Sequence, residues 1–445
     1  MSITVRNPFT YGNPISDPSR FFGREREITQ IFNRLCNVEL ESSSLVGERR
    51  IGKTSLLSYI ARPEVRQAHG LDPDAYFVVY QDLQIPSLAA SPTKLWQRLL
   101  QQIARQCPDD EINQRIETIR KSNENGTGND EMDNFVLDEL FDLIDEKDMH
   151  VIFLFDEFET ITDNPNFGID FYNGMRSLAI HHNLAIITAS RHELIELCQS
   201  EEIRASPFFN IFATISMRLL SEEDARQLID AYLADSGVSF TDAEIGTVRI
   251  ISGCHPYFLQ VACHFLFESY RTALGPNARL TFMRARFREE ATPHLGDFWR
   301  VSNDHEKIVL TAITLLARQG DGKVSGFRAD QLTDVYSRSE QTLERLEKRG
   351  LLVTGGETYA LFSPILGEWI ISEITNTLND RHGYDEWLAS NNGRLTGFSG
   401  VAKREIGEIL PKIGSSYRDL IITWVSDPKN LLTVAALLRG VVGFG

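Results

Sequence analysis

Five short apolar runs punctuate the first half of the chain. Ser44-Leu45-Val46, Tyr76-Phe77-Val78-Val79-Tyr80, Val151-Ile152-Phe153-Leu154-Phe155, Leu184-Ala185-Ile186-Ile187-Thr188-Ala189-Ser190 and the stretch from Ile211 to Met217 each predict a strand. The run at 151–155 shows no polar alternation, as expected of a central parallel strand covered on both faces. Between the runs the apolar residues switch to helical spacing: up to about Leu35, from Ser55 to Ile60, from Ser91 to Gln106 behind a Ser-Pro-Thr start, and from Glu131 to Glu146. Strands alternating with helices predict an α/β domain built on a parallel sheet. Pro108 to Asp130 is polar and contains Asn-Gly-Thr-Gly-Asn, which predicts a mobile loop near its end.

From Leu219 the strand pattern stops. Ser221-Glu222-Glu223-Asp224 predicts a capped helix start, and helical patterns continue to about Glu290. They are interrupted by Gly253-Cys254-His255-Pro256, where the proline suits the first turn of a helix. Residues 304–374 read as a winged helix: helices at 306–318, 328–336 and 340–349, then a hairpin around Gly355-Gly356, and a last helix holding Trp369. Gly393 to Gly400 reads as a linker before three short helical patterns at 402–413, 416–425 and 429–441. The expected organisation is an extended arm rich in Pro, Gly, Asn and Ser (1–20), a nucleotide-binding domain (21–217), a helical lid (218–300), a winged helix (301–375) and a small helical C-terminal region (376–445).

Chemistry enters at the first strand-to-helix junction. Gly47, Gly52, Lys53 and Thr54 fit the phosphate-loop pattern G-x-x-x-x-G-K-[ST], in the order strand, loop, helix that the motif needs. Backbone N–H groups of Glu48, Arg49, Arg50, Ile51, Gly52, Lys53 and Thr54 would face a triphosphate, with Ser55 following in the first helical turn. Glycine at 52 removes a Cβ that would block close approach. Lys53 supplies a positive charge for the β- and γ-phosphates, the Thr54 hydroxyl a ligand for Mg²⁺, and the helix start a favourable dipole. The 151–155 strand ends in Asp156-Glu157, at the edge where open α/β sheets bind ligands. Asp156 would hold Mg²⁺ opposite Thr54, and Glu157 would orient or deprotonate an attacking water. Arg191, at the end of the fourth strand, is placed to reach a γ-phosphate; the alternative is a surface arginine capping a loop.

Composition narrows the setting. Apolar residues make up 42% and charged residues 24% of 445, ordinary for a soluble globular protein. Five scattered cysteines form no C-x-x-C, and the ten histidines show no ligand spacing. These features, with no apolar signal segment near the start and no terminal stretch long enough to span a bilayer, predict a cytoplasmic protein without membrane contact. The net charge is −17, with +1 on residues 376–445 and −18 on the remainder. Residues 304–374 hold eight Lys/Arg and eleven Asp/Glu, which suits a protein-packing winged helix better than a DNA reader.

Taken together, Phe21-Phe22-Gly23-Arg24-Glu25, the Gly47–Ser55 loop, FLFDE at 153–157, TASR at 188–191 and GCHP at 253–256 resemble the STAND class of AAA+-related ATPases, nearest to the prokaryotic archaeal-type group. The resemblance covers about residues 10–375. It implies the strand order 5-1-4-3-2, an adenine pocket lined by Phe22, Gly23 and Arg24, Pro256 packing near the base from the lid, and Arg191 as nucleotide-state sensor. It also implies a slow ATPase that is closed with ADP and open with ATP, used in signalling or defence and often self-associating. The winged helix and C-terminal helices would then carry a protein partner or self-association. The chain departs from the class in lacking a repeat array and a Met-His-Asp motif in its winged helix. Two alternatives stay open: a DNA-associated ATPase using Arg338, Arg345, Lys348 and Arg349, and a nucleotide-bound scaffold without turnover.

Overall fold

A computed structural model describes residues 6–376 apart from 16, 88–89, 125–133, 198–205, 273, 318–326, 338 and 356–357; beyond 376 it describes only Glu405 and Glu408. The loop expected near Asp130, and the linker and three helical patterns expected past 390, lie outside the described residues save for Glu405 and Glu408. Those residues form two compact units that divide after Ser239.

The first unit is a three-layer α/β/α structure. Its strands are β1 (Ser43–Val46), β2 (Tyr76–Asp82), β3 (His150–Asp156), β4 (Leu184–Ser190) and β5 (Ala213–Ser216), all parallel in the order β2-β3-β4-β1-β5. Read from the other edge, this is the expected 5-1-4-3-2. The uninterrupted apolar run in β3 follows from its central place. Val151, Phe153 and Phe155 enter a core with α4 (Pro92–Gln106), α5 (Asp110–Glu124), α6 (Asn134–Glu146) and α8 (Ile169–His181). Ile152 and Leu154 enter the opposite core with α1 (Glu25–Leu35), α2 (Lys53–Ile60) and α3 (Pro63–Ala68). A strand in that position has no face for polar residues, so alternation cannot appear in its sequence. α5 went unpredicted because its polar composition hides Ile112, Ile116 and Ile119, which are buried at helical spacing.

The segment before α1 is irregular apart from one 3-10 turn (Pro18–Arg20), yet it packs into this unit. Phe9 is fully buried and stacks on Tyr232 with ring centroids 5.4 Å apart, and the Arg20 guanidinium lies 4.2 Å from the centroid of the same ring. Tyr232 belongs to α10 (Glu222–Leu233), whose first turn carries the expected Ser221 cap in a capping box with Asp224. The Ile15 N–H donates to Ser55 Oγ at 3.0 Å, joining the segment to the first turn of α2.

The second unit starts with α11 (Asp242–Ser252), α12 (Pro256–Arg271) and α13 (Pro276–Val301). α14 (Asp304–Leu316), β6 (Phe327–Arg328), α15 (Ala329–Val335), α16 (Ser339–Lys348), β7 (Leu352–Gly355), β8 (Thr358–Leu361) and α17 (Pro364–Asn376) follow, with the three strands antiparallel in the order β6-β8-β7. The end of β8 locks onto the turn after α11. Gly253 has φ 59°, and a Cβ there would sit 2.0 Å from the Phe362 carbonyl oxygen. Ser363 Oγ donates to the Ile251 carbonyl, and Phe362 stacks on Phe258 of α12 at 6.0 Å. Arg349 is buried, with Nη1 donating to Glu306 Oε2 at 2.8 Å and to Ser302 Oγ at 3.0 Å.

Gly253 therefore meets two demands at once: a left-handed backbone and a contact that only hydrogen in place of Cβ permits. Gly253→Ala is expected to destabilise this unit by about 3 kcal/mol or more, a sum of backbone strain and forced separation at the Phe362 carbonyl. Gly246→Ala, in α11 with open space around its Cβ position, is expected to be neutral or to stabilise by about 0.5–1 kcal/mol. Denaturant midpoints check both; equal values would show that the turn yields freely.

Candidate nucleotide-binding site

The C-terminal ends of β1, β3 and β4 open on one edge of the sheet, with Val46 level with Ser190 and Phe155 level with Thr188. The phosphate loop leaves β1 there. A Cβ on Gly47 would meet Met217 Cβ at 2.9 Å, so the loop begins where only glycine fits beside the end of β5. Arg50 (φ 65°) and Gly52 (φ 106°) adopt left-handed conformations, which turn successive backbone N–H groups to one side. Within the protein the need for glycine at 52 is conformational, since a Cβ there would point into open space. Glu48 and Ile51 are buried, Arg49 and Arg50 exposed. Ser55, on α2, is the residue that accepts from Ile15.

Lys53 is 6% exposed, and its Nζ donates to the carbonyls of Gly47 at 2.7 Å and Glu48 at 3.2 Å. Burial lowers its pKa, against the pull of Glu157, Glu159, Asp156 and Glu48. Thr54 donates its hydroxyl to Asp156, and Tyr80 Oη donates to Asp156 Oδ2 at 3.0 Å. Burial raises the Asp156 pKa, and these two hydrogen bonds oppose the shift. Asp156 Oδ1 accepts from the Glu157 N–H at 3.1 Å. Glu157 itself has φ 53°, a left-handed conformation that costs a side-chain-bearing residue roughly 1–3 kcal/mol.

The next residue returns the chain to the sheet: the Phe158 N–H donates to the Ala189 carbonyl at 2.9 Å, while the Gly47 N–H donates to the Ser190 carbonyl at 3.2 Å. The last two residues of β4 therefore bond to the exits of both β3 and β1. Arg191 follows directly, with Nε 3.7 Å from Glu159 Oε1.

Arg24 stands apart from the other expected adenine residues. It is 4% exposed, with Nη2 donating to the Ile51 carbonyl at 2.8 Å and Nη1 to the Arg218 carbonyl at 2.7 Å. Its guanidinium braces the phosphate loop against the exit of β5. Phe22 lies edge-on to Tyr232 at 6.2 Å. Gly23 (φ 72°) packs so closely that a Cβ would fall 2.7 Å from Asp224 Cβ. Pro256 is the first residue of α12 and belongs to the second unit.

The first unit thus brings together Gly47, Gly52, Lys53, Thr54, Asp156, Glu157 and Arg191. Sequence reading missed Tyr80 and Glu159. Tyr80 carries a faint signal: it shares the register of Tyr76 and Val78 and pairs across to Leu154, on the α2 side of the sheet.

The donor set fits a magnesium nucleotide. A threonine hydroxyl and a buried aspartate already bond to one another, and a lysine ammonium is folded onto the loop carbonyls beside them. The family model described as novel STAND NTPase 2, nSTAND2, matches residues 35–314, well over half of the chain. The chain belongs to the nSTAND2 family. The solved structures similar in fold to this nSTAND2 chain include the Walker-type ATPase PABY2304 of Pyrococcus abyssi, at 17% identity and TM-score 0.50, covering 81% of this chain and 98% of that one. The Aeropyrum pernix ORC2 protein, described in ADPNP–ADP complexes, is similar at 13% identity and TM-score 0.51, covering 84% and 99%. A comparison with curated proteins finds no match for the nSTAND2 chain. Among its described residues, no helix is long and apolar enough to cross a membrane, and no group of three or more His, Cys, Asp or Glu is arranged to hold a metal ion. Cys36, Cys107, Cys254 and Cys263 are free thiols.

Proposed function

We propose that the chain is an ATP-binding, slowly hydrolysing switch. The observation that carries this reading is the hydrogen bond between Thr54 and Asp156, which sets the two expected Mg²⁺ ligands side by side within reach of Lys53 and Glu157. Thr54 and Asp156 would hold Mg²⁺, whose charge offsets that developing on the phosphates. Lys53 binds the β- and γ-phosphates, Glu157 orients the attacking water and takes its proton, and Arg191 distinguishes triphosphate from diphosphate. Phe22 and Gly23 would line the base. Tyr80 fixes the Asp156 carboxylate from the neighbouring strand.

In this reading the first unit holds the nucleotide-binding domain and the start of the lid, and the second the rest of the lid and a winged helix that serves a protein partner. Of the four basic residues that would carry DNA binding, Arg349 is committed to Glu306 and Ser302. The proposed output is a protein-facing role in signalling or defence.

The test is to denature the purified protein, separate any released nucleotide by chromatography and measure the native mass. Tightly held ADP on a monomer is the expected result. An empty site with steady ATP turnover would overturn the closed-with-ADP switch.

A further inference from the structure

Glu159 is an acid that the hydrolysis scheme leaves without a task. It opens α7 (Glu159–Thr162), two residues beyond Glu157. Both carboxylate oxygens are buried, and neither bonds to another residue. Its charged neighbours are Glu157, Lys53 and Arg191, and burial raises its pKa. Arg191 Nε, 3.7 Å from Glu159 Oε1, is likewise buried without a hydrogen bond. A carboxylate and a guanidinium Nε withdrawn from water and paired this loosely have lost hydration without gaining a fork-to-fork bond.

Their encounter is built into the backbone. The bond from Phe158 N–H to the Ala189 carbonyl staples the residue before Glu159 to the strand that presents Arg191. That bond holds the two backbones close at the junction that also carries Glu157, and leaves the pairing itself to the side chains.

We propose that Glu159 is a positioning residue for Arg191: its carboxylate holds the guanidinium when no γ-phosphate is present, and the γ-phosphate of ATP competes for the same group. This rests on reading Arg191 as the γ-phosphate sensor. A phosphate offers the guanidinium two parallel hydrogen bonds, which Glu159 does not make. ATP therefore wins the arginine at the expense of the ion pair, whereas ADP leaves the pair intact. Glu159 biases the site toward ADP, and Lys53 remains as its counter-charge once Arg191 has turned to the nucleotide.

The test measures the affinity of the full chain for ADP and for a non-hydrolysable ATP analogue. Glu159→Gln keeps the shape and removes the charge, and is expected to shift the ratio about tenfold toward the triphosphate, within the usual span of coupling between two competing contacts. In an Arg191→Ala background the same substitution is expected to leave the ratio unchanged, which a merely structural role would not produce. Glu159→Asp keeps the charge and is expected to keep the wild-type ratio; it also serves as the readout should Glu159→Gln not fold. A ratio changed by Arg191→Ala but untouched by Glu159→Gln would overturn the pairing alone. A shift that persists without Arg191 would overturn the positioning role. A ratio indifferent to Arg191→Ala would overturn the sensor reading, and the pairing with it.

Discussion

Lys53→Ala is expected to weaken nucleotide binding by roughly 100-fold or more, equivalent to about 3 kcal/mol. The size follows from what surrounds the ammonium. It is buried and lies among Glu157, Glu159, Asp156 and Glu48. Removing it deletes the contact to the β- and γ-phosphates and also leaves those carboxylates facing a polyanion with no intervening charge. Attraction is lost and repulsion is exposed in one step, in a setting where water screens neither fully. The fold itself loses two ammonium-to-carbonyl hydrogen bonds, so the nucleotide-free melting temperature should move little. Titration calorimetry, or the rise in melting temperature on adding ATP, measures the effect; an undiminished rise would remove Lys53 from the site.

Glu157→Gln is expected to leave ATP binding in place and to lower turnover by about 100- to 1,000-fold, the usual worth of a positioned general base. The amide preserves the size of the side chain and the turn at φ 53°, so the nucleotide-binding groups keep their positions. What disappears is the capacity to take a proton from water. Single-turnover assays at high protein concentration separate this from binding, and protein purified from cells should carry ATP in place of ADP. Hydrolysis at the wild-type rate would remove Glu157 from the mechanism.

Legibility in the sequence followed the physics of each element. The strands of the sheet declared themselves as apolar runs because both faces are covered by helices. The phosphate loop was readable because its conformation demands glycine at fixed spacing and its chemistry demands Lys-Thr. Their bounds came out within a few residues, as at β5, where the strand is Ala213–Ser216 inside the expected 211–217. α5 was hidden because three isoleucines suffice to anchor a helix whose other faces are polar. Glu159 was hidden because an acid in an acidic turn has no spacing signature; only its withdrawal from water marks it out. Arg24 carries a recognisable motif, but its donors turn to two carbonyls that no sequence pattern names. Arg349 looked like one more basic residue on a helix, and burial against Glu306 is a property of tertiary packing alone.

The stretch before the first helix illustrates how composition misleads. Its Pro, Gly, Asn and Ser suggest an extended arm, yet Phe9 is fully buried and the Ile15 amide bonds to Ser55 on the helix that follows the phosphate loop. A fragment trimmed to start at α1 would present the Tyr232 ring to water and leave α2 without one of its tethers. Such a fragment would be prone to clump, and its weakened grip on nucleotide would be misread as a property of the loop. Fragment boundaries chosen by compositional bias would cut through the site's own foundation.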